Sequence, residues 1–289
     1  NLIRIDAMKL PGGLIVDGQL RSDFSFKPVT GALERAIAES GNLYSTLAQQ
    51  VTRILSCSLE HVANRAADAD LVRCLSSGDR QYLILQLEAL IEPAPQWYTA
   101  PCQHCEELIQ FQLEPGSLPV KPAGDSFPEV TIHLSMGDVV LRTPNGRDEE
   151  NLATCLKNEQ SAVPYLLSQL ISPVDEQALD SNALNTADLA LIDHSLEQMA
   201  PQTADTVSVS CPYCNHHQQI KVDSYAWITR KTQSLDEEVH SLASNYHWSE
   251  RDILELPRTR RKRYLQLIER SAGRLHANEY IQTMNRASI

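Results

Sequence analysis

Two stretches of the sequence decide the fold: WYTAPCQHCEELIQFQL at residues 97–113 and VSVSCPYCNHHQQIKV at residues 207–222. Each stretch places a Cys-x-x-Cys turn between two short segments in which apolar and polar residues alternate. Alternation with a period of two is typical of a β-strand. The sequence therefore predicts two similar units, each made of a strand, a cysteine turn and a second strand.

The four cysteines of these turns are predicted to bind one metal ion together. Thiolates are soft ligands, and four of them around a tetrahedral Zn²⁺ with no open position form a closed structural site. Each turn would supply two ligands, as in a zinc ribbon that is split by the long segment between the turns. Zinc can close so long a loop, because its apparent binding free energy of about 10–16 kcal/mol exceeds a closure cost that grows slowly with length. The predicted ligands of this zinc cofactor are Cys102, Cys105, Cys211 and Cys214.

Three other interpretations of the cysteines stay open. Cys211-Pro-Tyr-Cys214 is also the active-site motif of glutaredoxin-like proteins, where a helix N-terminus lowers the pKa of the first thiol, although a strand pattern follows it here. Separate mixed sites would use His104, His216 or His217 as additional ligands, and four ordinary buried thiols would bind nothing. The remaining cysteines lie in apolar, helix-like contexts and are predicted to be core thiols: Cys57, Cys74 and Cys155.

The composition indicates a globular chain without a recognisable catalytic arrangement. Its 289 residues are 42% hydrophobic and carry a net charge of -12, which suits a packed core and opposes non-specific attraction to nucleic acid or anionic membranes. No long apolar run follows Asn1, and an odd number of cysteines favours a reducing compartment, so we expect a cytoplasmic protein. Because no Ser/His/Asp set, paired carboxylates or phosphate-binding glycine loop stands out, we expect no enzymatic activity and no small-molecule substrate.

We predict an α+β fold that is mostly helical with small antiparallel β units. Asp17-Gly18 suits a tight turn between two strands, and residues 43–67 follow a helical pattern. The predicted regions are an N-terminal hairpin plus helical region over 1–96, the two halves of a zinc ribbon over 97–114 and 205–223, an inserted β-hairpin and helical subdomain over 115–204, and a C-terminal helical region with a basic cluster over 224–289.

The C-terminal region is a basic end on an acidic body. From Tyr225 to Ile289 there are eleven Lys and Arg and eight Asp and Glu, a net charge of +3, which leaves -15 for the rest of the chain. The cations crowd the start of the last predicted helix, where they repel one another and oppose the helix dipole. They suit a solvated face balanced by nearby acids, docking onto an acidic surface of another chain or of this one, or nucleic-acid binding. The candidate partner-binding residues are Arg258, Arg260, Arg261, Lys262 and Arg263.

The C-terminal sequence resembles a block found in a known family. The run EVHSLASNYHWSE at 238–250, continued by ILELP at 253–257 and RRKRYL at 260–265, resembles the helix-turn-helix block of baseplate proteins of the phage T4 type. These proteins are described as hub assembly chaperones of contractile phage tails and extracellular contractile injection systems.

Earlier segments are similar to other blocks of the same family, in the same order along the chain. Leu10-Pro-Gly-Gly13 with its hairpin and Pro28-Val-Thr-Gly31 look like the opening block, and Ser77-Gly-Asp-Arg80 before a leucine-rich helix and Cys102 looks like the central one. Cys211-Pro-Tyr-Cys214 is similar to the second knuckle of members that carry zinc. Residues 115–185 have no counterpart in this resemblance.

The resemblance implies a non-enzymatic protein that binds baseplate, hub or spike proteins during assembly of a contractile tail-like particle. Its expected location is the cytoplasm of a bacterial or phage-infected cell, and association with the finished particle is left open. The alternative function is that of a zinc-ribbon nucleic-acid-binding protein that uses the basic C-terminal helix. Salt-dependent retention of DNA or RNA would favour this alternative.

Overall fold

The computed structural model describes residues 8–157, 161–174, 183–229 and 234–271. Helices and antiparallel strands share the chain, which confirms the predicted α+β class. The chain divides into two compact units, of which the first comprises Asn1–Lys27 and Ser40–Thr229 and the second comprises Pro28–Glu39 and Arg230–Ile289. Within the described residues, no helix is long and apolar enough to cross a membrane.

The secondary structure consists of short strands and helices in mixed order. The strands are β1 (Met8–Val16), β2 (Gln19–Phe26), β3 (Leu59–Val62), β4 (Arg65–Ala66), β5 (Gln96–Pro101), β6 (Leu108–Leu113), β7 (Val120–Lys121), β8 (Glu129–Leu134), β9 (Gly137–Arg142), β10 (Ile171–Pro173), β11 (Gln202–Thr203), β12 (Thr206–Ser210) and β13 (His217–Lys221). The helices are α1 (Gly31–Leu43), α2 (Leu47–Ser58), α3 (Ala69–Cys74), α4 (Ser77–Ile91), α5 (Gly146–Lys157), α6 (Ala162–Leu170), α7 (Thr186–Met199), α8 (Ala226–Thr229), α9 (Ser234–Tyr246), α10 (Glu250–Glu255) and α11 over 258–271.

A four-stranded antiparallel sheet with the order β1-β2-β3-β4 lies in the first unit. The predicted N-terminal hairpin is confirmed, because Val16 pairs with Gln19 across a two-residue turn. Asp17 and Gly18 in this turn both have positive φ, at 52° and 74°. Two consecutive residues of this kind match the right-handed twist of the paired strands.

The prediction of helix over residues 43–67 is wrong in its second half. Helix α2 ends at Ser58, and the chain continues as β3 and β4. The N–H of Ala63 donates to the carbonyl of Asp23 on β2 (2.7 Å), and the N–H of Asn64 donates to the Asp23 carboxylate (3.0 Å). These bonds attach the segment to the sheet, so tertiary contacts outweigh its local helical pattern.

Helix α4 is joined to β1 and α5 by two buried charged residues. The Asp79 carboxylate accepts the N–H groups of Gly12 (2.8 Å) and Gly13 (3.0 Å), and burial raises the pKa of Asp79. Arg80 is fully buried and donates from Nε to Glu149 on α5 (2.9 Å). Arg80 is thus paired with a carboxylate, and Asp79 is held by hydrogen bonds alone, which offset part of the cost of its burial.

The inserted segment has its own apolar core. A three-stranded sheet with the order β10-β9-β8 packs with α6 and α7. Asp188 in the first turn of α7 accepts hydrogen bonds from the hydroxyl (2.6 Å) and the N–H (2.8 Å) of Ser135, and these bonds lower the pKa of Asp188. They attach α7 to the turn between β8 and β9. The buried core residues are Leu134, Val139, Leu141, Leu167, Leu170, Ile171, Ile192 and Met199.

The second unit contains the start of α1 together with α9, α10 and α11. The N–H of Arg258 at the start of α11 donates to the carbonyl of Val29 (2.9 Å). A Cβ added to Gly31 would lie 2.9 Å from the side chain of Leu254, so the close approach of α1 to α10 requires glycine there. The buried apolar residues of the second unit include Leu33, Ile37, Leu235, Leu242 and Ile253.

Candidate metal centre

The four predicted cysteines come together in the first unit. Their Sγ atoms all lie within 4.8 Å of one another, and the pairs Cys102 to Cys214 and Cys105 to Cys211 are each 3.7 Å apart. A tetrahedron of sulfurs about 2.3 Å from a central metal has edges of about 3.8 Å. The donor atoms and their spacing therefore fit a metal ion held by four thiolates.

Backbone hydrogen bonds form the first cysteine turn, between β5 and β6. The N–H of Cys102 donates to the carbonyl of Glu107 (2.8 Å), and the N–H of Glu106 donates to the carbonyl of Cys102 (3.0 Å). Glu106 directly follows the second cysteine and has a left-handed backbone with a φ of 62°. This residue turns the chain back into β6 and brings both cysteines to the same side of the hairpin.

The second cysteine turn, between β12 and β13, has the same pattern of backbone hydrogen bonds as the first turn. The N–H of Cys211 donates to the carbonyl of His216 (2.9 Å), and the N–H of Asn215 donates to the carbonyl of Cys211 (2.9 Å). Asn215 also directly follows the second cysteine of its turn and has a φ of 58°. The two turns are therefore equivalent local structures that supply two thiols each.

Apolar side chains support the cysteines from the inner faces of the two hairpins. Ile109 on β6 is buried and belongs to one cluster with Cys102 and Cys211, which are themselves buried. Phe111 and Val209 pack against this cluster from β6 and β12. Such a shell limits the access of water to the sulfurs and holds the ligands in position.

Gln218 links the two hairpins directly, although it belongs to no motif that sequence reasoning would select. Its Oε1 accepts the N–H of Gln103 in the first turn (2.8 Å), and its Nε2 donates to the carbonyl of Pro101 (3.1 Å). The side chain is buried at an inward position of β13. The only available signal was strand alternation, which places Gln218 on the same face as Ile220.

The two thiols of the first turn differ in pKa. The N–H groups of Cys105 and His104 lower the pKa of Cys102 to about 6. The N–H of Glu107 acts in the same direction on Cys105, but burial and the three neighbouring thiols raise the pKa of Cys105 to about 12. Four thiolates this close repel one another, so a cation is needed to hold all of them deprotonated together.

The other interpretations of the cysteine motifs receive less support from the geometry. His104 and His216 stack on each other with ring centroids 5.5 Å apart and are not members of the four-atom cluster. Cys211 lies between two strands, whereas a glutaredoxin-like thiol requires the start of a helix. The arrangement favours one shared site over mixed sites or a redox pair.

The expectation that the remaining cysteines are core thiols holds for one of them and fails for another. Cys155 is buried, Cys57 is half-buried and Cys74 is exposed at the end of α3. The guanidinium of Arg147 lies 3.9 Å from the Cys74 sulfur. The apolar residues on which the expectation for Cys74 rested, Leu71 and Val72, are buried, but Cys74 itself lies at the exposed end of this short helix.

The basic cluster is divided by the fold of the second unit. Arg261 is fully buried and donates to Glu34 (2.6 Å) and to Glu238 (3.2 Å). Arg258 also donates to Glu34, and Lys262 Nζ lies 2.7 Å from the Glu238 carboxylate. These three cations are thus paired with acids of the same chain.

The other two members of the predicted cluster point outward. Arg260 and Arg263 are exposed, and Arg260 Nη2 lies 3.4 Å from the hydroxyl of Tyr264. The ring of Tyr264 packs edge to face on Trp248, which stacks on Tyr246 with centroids 4.8 Å apart. The aromatic side chains anchor α11 to the end of α9, and the two arginines remain available to solvent.

These features define an α+β protein with a four-cysteine site that can hold a metal ion. The chain matches no protein-family model, no curated protein and no solved structure in the comparisons. Its function is therefore inferred from its own residues and geometry.

Proposed function

We propose that the four cysteines bind Zn²⁺ as a closed structural site, which would make the two hairpins the halves of a split zinc ribbon. Four thiolates fill every position of a tetrahedral ion, so none remains for a substrate or a reactive water. The N–H of His104 lies 3.4 Å from the Cys102 sulfur, a contact that favours a thiolate at this position. When bound, the ion would hold β5 and β6 to β12 and β13.

We further propose that the protein is a non-enzymatic assembly chaperone or accessory component that binds baseplate or spike-hub proteins of a contractile tail or injection system. One observation carries this proposal: the sequence blocks that resemble the family contact one another in the fold. Gly12 and Gly13 donate their N–H groups to Asp79. These bonds join the first half of the opening block to the central block.

The second half of the opening block contacts the C-terminal block. Arg258 donates its N–H to the carbonyl of Val29, and Thr30 and Pro257 form an isolated antiparallel bridge. Gly31 lies against Arg261, whose Nη1 would be 3.0 Å from a Cβ added to the glycine. Short motifs that match by chance need not meet in space, so these contacts support treating the blocks as parts of one architecture.

One groove of the first unit is lined in part by acidic side chains. This groove has a volume of about 680 Å³ and includes Glu149, Asp193, Glu197 and Asp205 in its walls. Among the described residues that line it there is no histidine, cysteine or lysine. The described lining therefore contains no Ser-His-Asp or Cys-His set.

The test is to express the tagged full chain in its native host with its neighbouring gene products and to identify what it retains after washing at high salt. We expect tail or injection-system proteins to be retained in stoichiometric amounts. The matched control is the same chain with Cys102→Ser and Cys211→Ser, which should retain less because the structure that positions the docking surfaces loosens.

Two results would contradict the assembly proposal. Retention of DNA or RNA that is lost as salt increases would favour the alternative, a zinc-ribbon nucleic-acid-binding protein, because phosphate contacts weaken steeply with ionic strength. Recovery of the chain with no partner at all would contradict both functions.

A further inference from the structure

Helix α11 carries a stripe of exposed arginines that the fold leaves facing outward. Arg260, Arg263, Leu267 and Arg270 are separated by three, four and three positions, so they lie on one side of the helix. The three arginines are exposed, and Leu267 keeps 41% of its surface accessible. We call these four residues the arginine stripe.

Within the described residues, the arginines of the stripe have no ion-pair partner, in contrast to their neighbours on the same helix. Glu34 and Glu238 pair with Arg258, Arg261 and Lys262, on the side of α11 that faces the unit. Glu269 lies nine positions after Arg260, which places it on the opposite side of the helix. The stripe is therefore a cationic surface without an internal counter-charge in the described chain.

We infer that the arginine stripe is the docking surface for an acidic patch on a partner protein. This inference rests on the proposed assembly function and names the surface that performs it. Arginine suits such contacts because its planar guanidinium binds a carboxylate through two parallel hydrogen bonds. Leu267, between Arg263 and Arg270, adds apolar area that a protein surface can cover and a phosphate backbone cannot.

The charge balance favours a protein over a nucleic acid or a membrane. From Arg260 to Arg270 the stripe is about 15 Å long at 1.5 Å per residue, so it reaches few phosphates. A long polyanion would extend past the stripe and meet a chain whose net charge is -12. An acidic patch of limited size on a folded partner does not incur this repulsion.

The test places a photo-crosslinking amino acid at Leu267 in the tagged full chain, in the native host. The comparison position is Glu269, which is exposed and lies on the opposite side of the helix from the start of the stripe. We expect a protein adduct from position 267 whose crosslinked partner peptide is rich in Asp and Glu. We expect at least about tenfold less adduct from position 269.

The charge dependence is tested in the same chain. Arg260→Glu with Arg263→Glu and Arg270→Glu should lower the yield of the adduct by at least about tenfold, since the contact depends on opposite charges. The milder set Arg260→Gln, Arg263→Gln and Arg270→Gln, which preserves helix formation, should lower the yield in the same direction. The matched control reverses three exposed cations of the first unit, Lys9→Glu, Arg53→Glu and Arg65→Glu, and should leave the yield unchanged.

The outcomes separate this inference from the proposed function. A charge-dependent adduct with an acidic protein that is unrelated to tail-like particles would support the arginine stripe as a docking surface and contradict the assembly function. Retention of tail proteins without a charge-dependent adduct at position 267 would support the assembly function and overturn the inference that the arginine stripe is the docking surface. A nucleic-acid adduct at position 267 would overturn the inference as well.

Discussion

The residue that directly follows each cysteine pair closes its turn in a left-handed conformation. Glu106 has a φ of 62° and Asn215 has a φ of 58°, and each donates its N–H to the first cysteine of its turn. Asparagine tolerates this conformation, whereas it costs a residue such as glutamate about 1–2 kcal/mol. The same geometry is therefore more strained in the first turn than in the second.

This difference predicts opposite effects of two reciprocal substitutions. Glu106→Asn should raise the free energy of unfolding by about 0.5–1 kcal/mol, and Asn215→Glu should lower it by a similar amount. Urea denaturation of the full chain measures the change in the free energy of unfolding for each variant. The control is Glu107→Asn, which makes the same chemical change one position later, where φ is not positive. Equal effects of Glu106→Asn and Glu107→Asn would contradict the strain argument.

Single residues also show what sequence alone could predict about the site. The Cys-x-x-Cys spacing predicted which four sulfurs meet, because the ligand chemistry of each turn is local. Gln218 was missed because its partners, Gln103 and Pro101, are more than a hundred positions away and belong to no motif. A glutamine that satisfies two backbone groups of another hairpin is visible only once the hairpins are in place.

Among the elements, the basic start of α11 shows how far local charge alone can be interpreted. From the local pattern, three interpretations stayed open: a solvated face balanced by nearby acids, docking onto an acidic surface of another chain or of this one, and nucleic-acid binding. The fold supplies Glu34 from α1 and Glu238 from α9 to Arg258, Arg261 and Lys262. Glu34 and Arg261 are 227 positions apart, so no local pattern could have predicted their contact.

Because of these buried ion pairs, we expect the stability of the second unit to depend strongly on Glu34. Glu34→Ala should lower the free energy of unfolding by about 3–5 kcal/mol, because it leaves the buried Arg261 with one carboxylate fewer. Chemical denaturation followed by circular dichroism measures the loss. Glu39→Ala on the same helix is the control, since Glu39 is exposed and should change stability by less than about 0.5 kcal/mol. Similar small effects of both variants would rule out a structural role for this network.

The sequence predicts the secondary structure correctly where a short local signal is strong. The prediction is wrong where contacts between distant residues determine the backbone conformation. Asp17-Gly18 predicted the first hairpin, because the turn requires two residues that tolerate positive φ. The sequence of β3 and β4 predicts helix instead, because Ala63-Asn64 is a weak turn signal and the Asp23 groups that accept their N–H bonds lie on another strand. Tertiary contacts therefore override local propensity in this segment.

For the whole molecule, the cysteine site brings together two hairpins that a long inserted segment separates in the sequence. The two hairpins lie at opposite ends of the segment that includes β8, β9 and α7. Gln218 and the shared apolar cluster join them, but two hydrogen bonds contribute only about 1 kcal/mol each. A bound ion contributes far more, about 10–16 kcal/mol for structural zinc. We therefore expect the first unit to depend on metal for its integrity.

The measurement that tests this account most directly is the metal content of the intact chain by native and elemental mass spectrometry, together with hydrogen exchange of residues 97–113. We predict one zinc ion per chain, with much less in Cys102→Ser and in Cys211→Ser and unchanged zinc in the control Cys74→Ser. Because the site is shared, Cys211→Ser should also increase exchange in residues 97–113, which it does not alter chemically. Iron in place of zinc, or full zinc occupancy in both ligand variants with unchanged exchange, would contradict the shared four-cysteine zinc site.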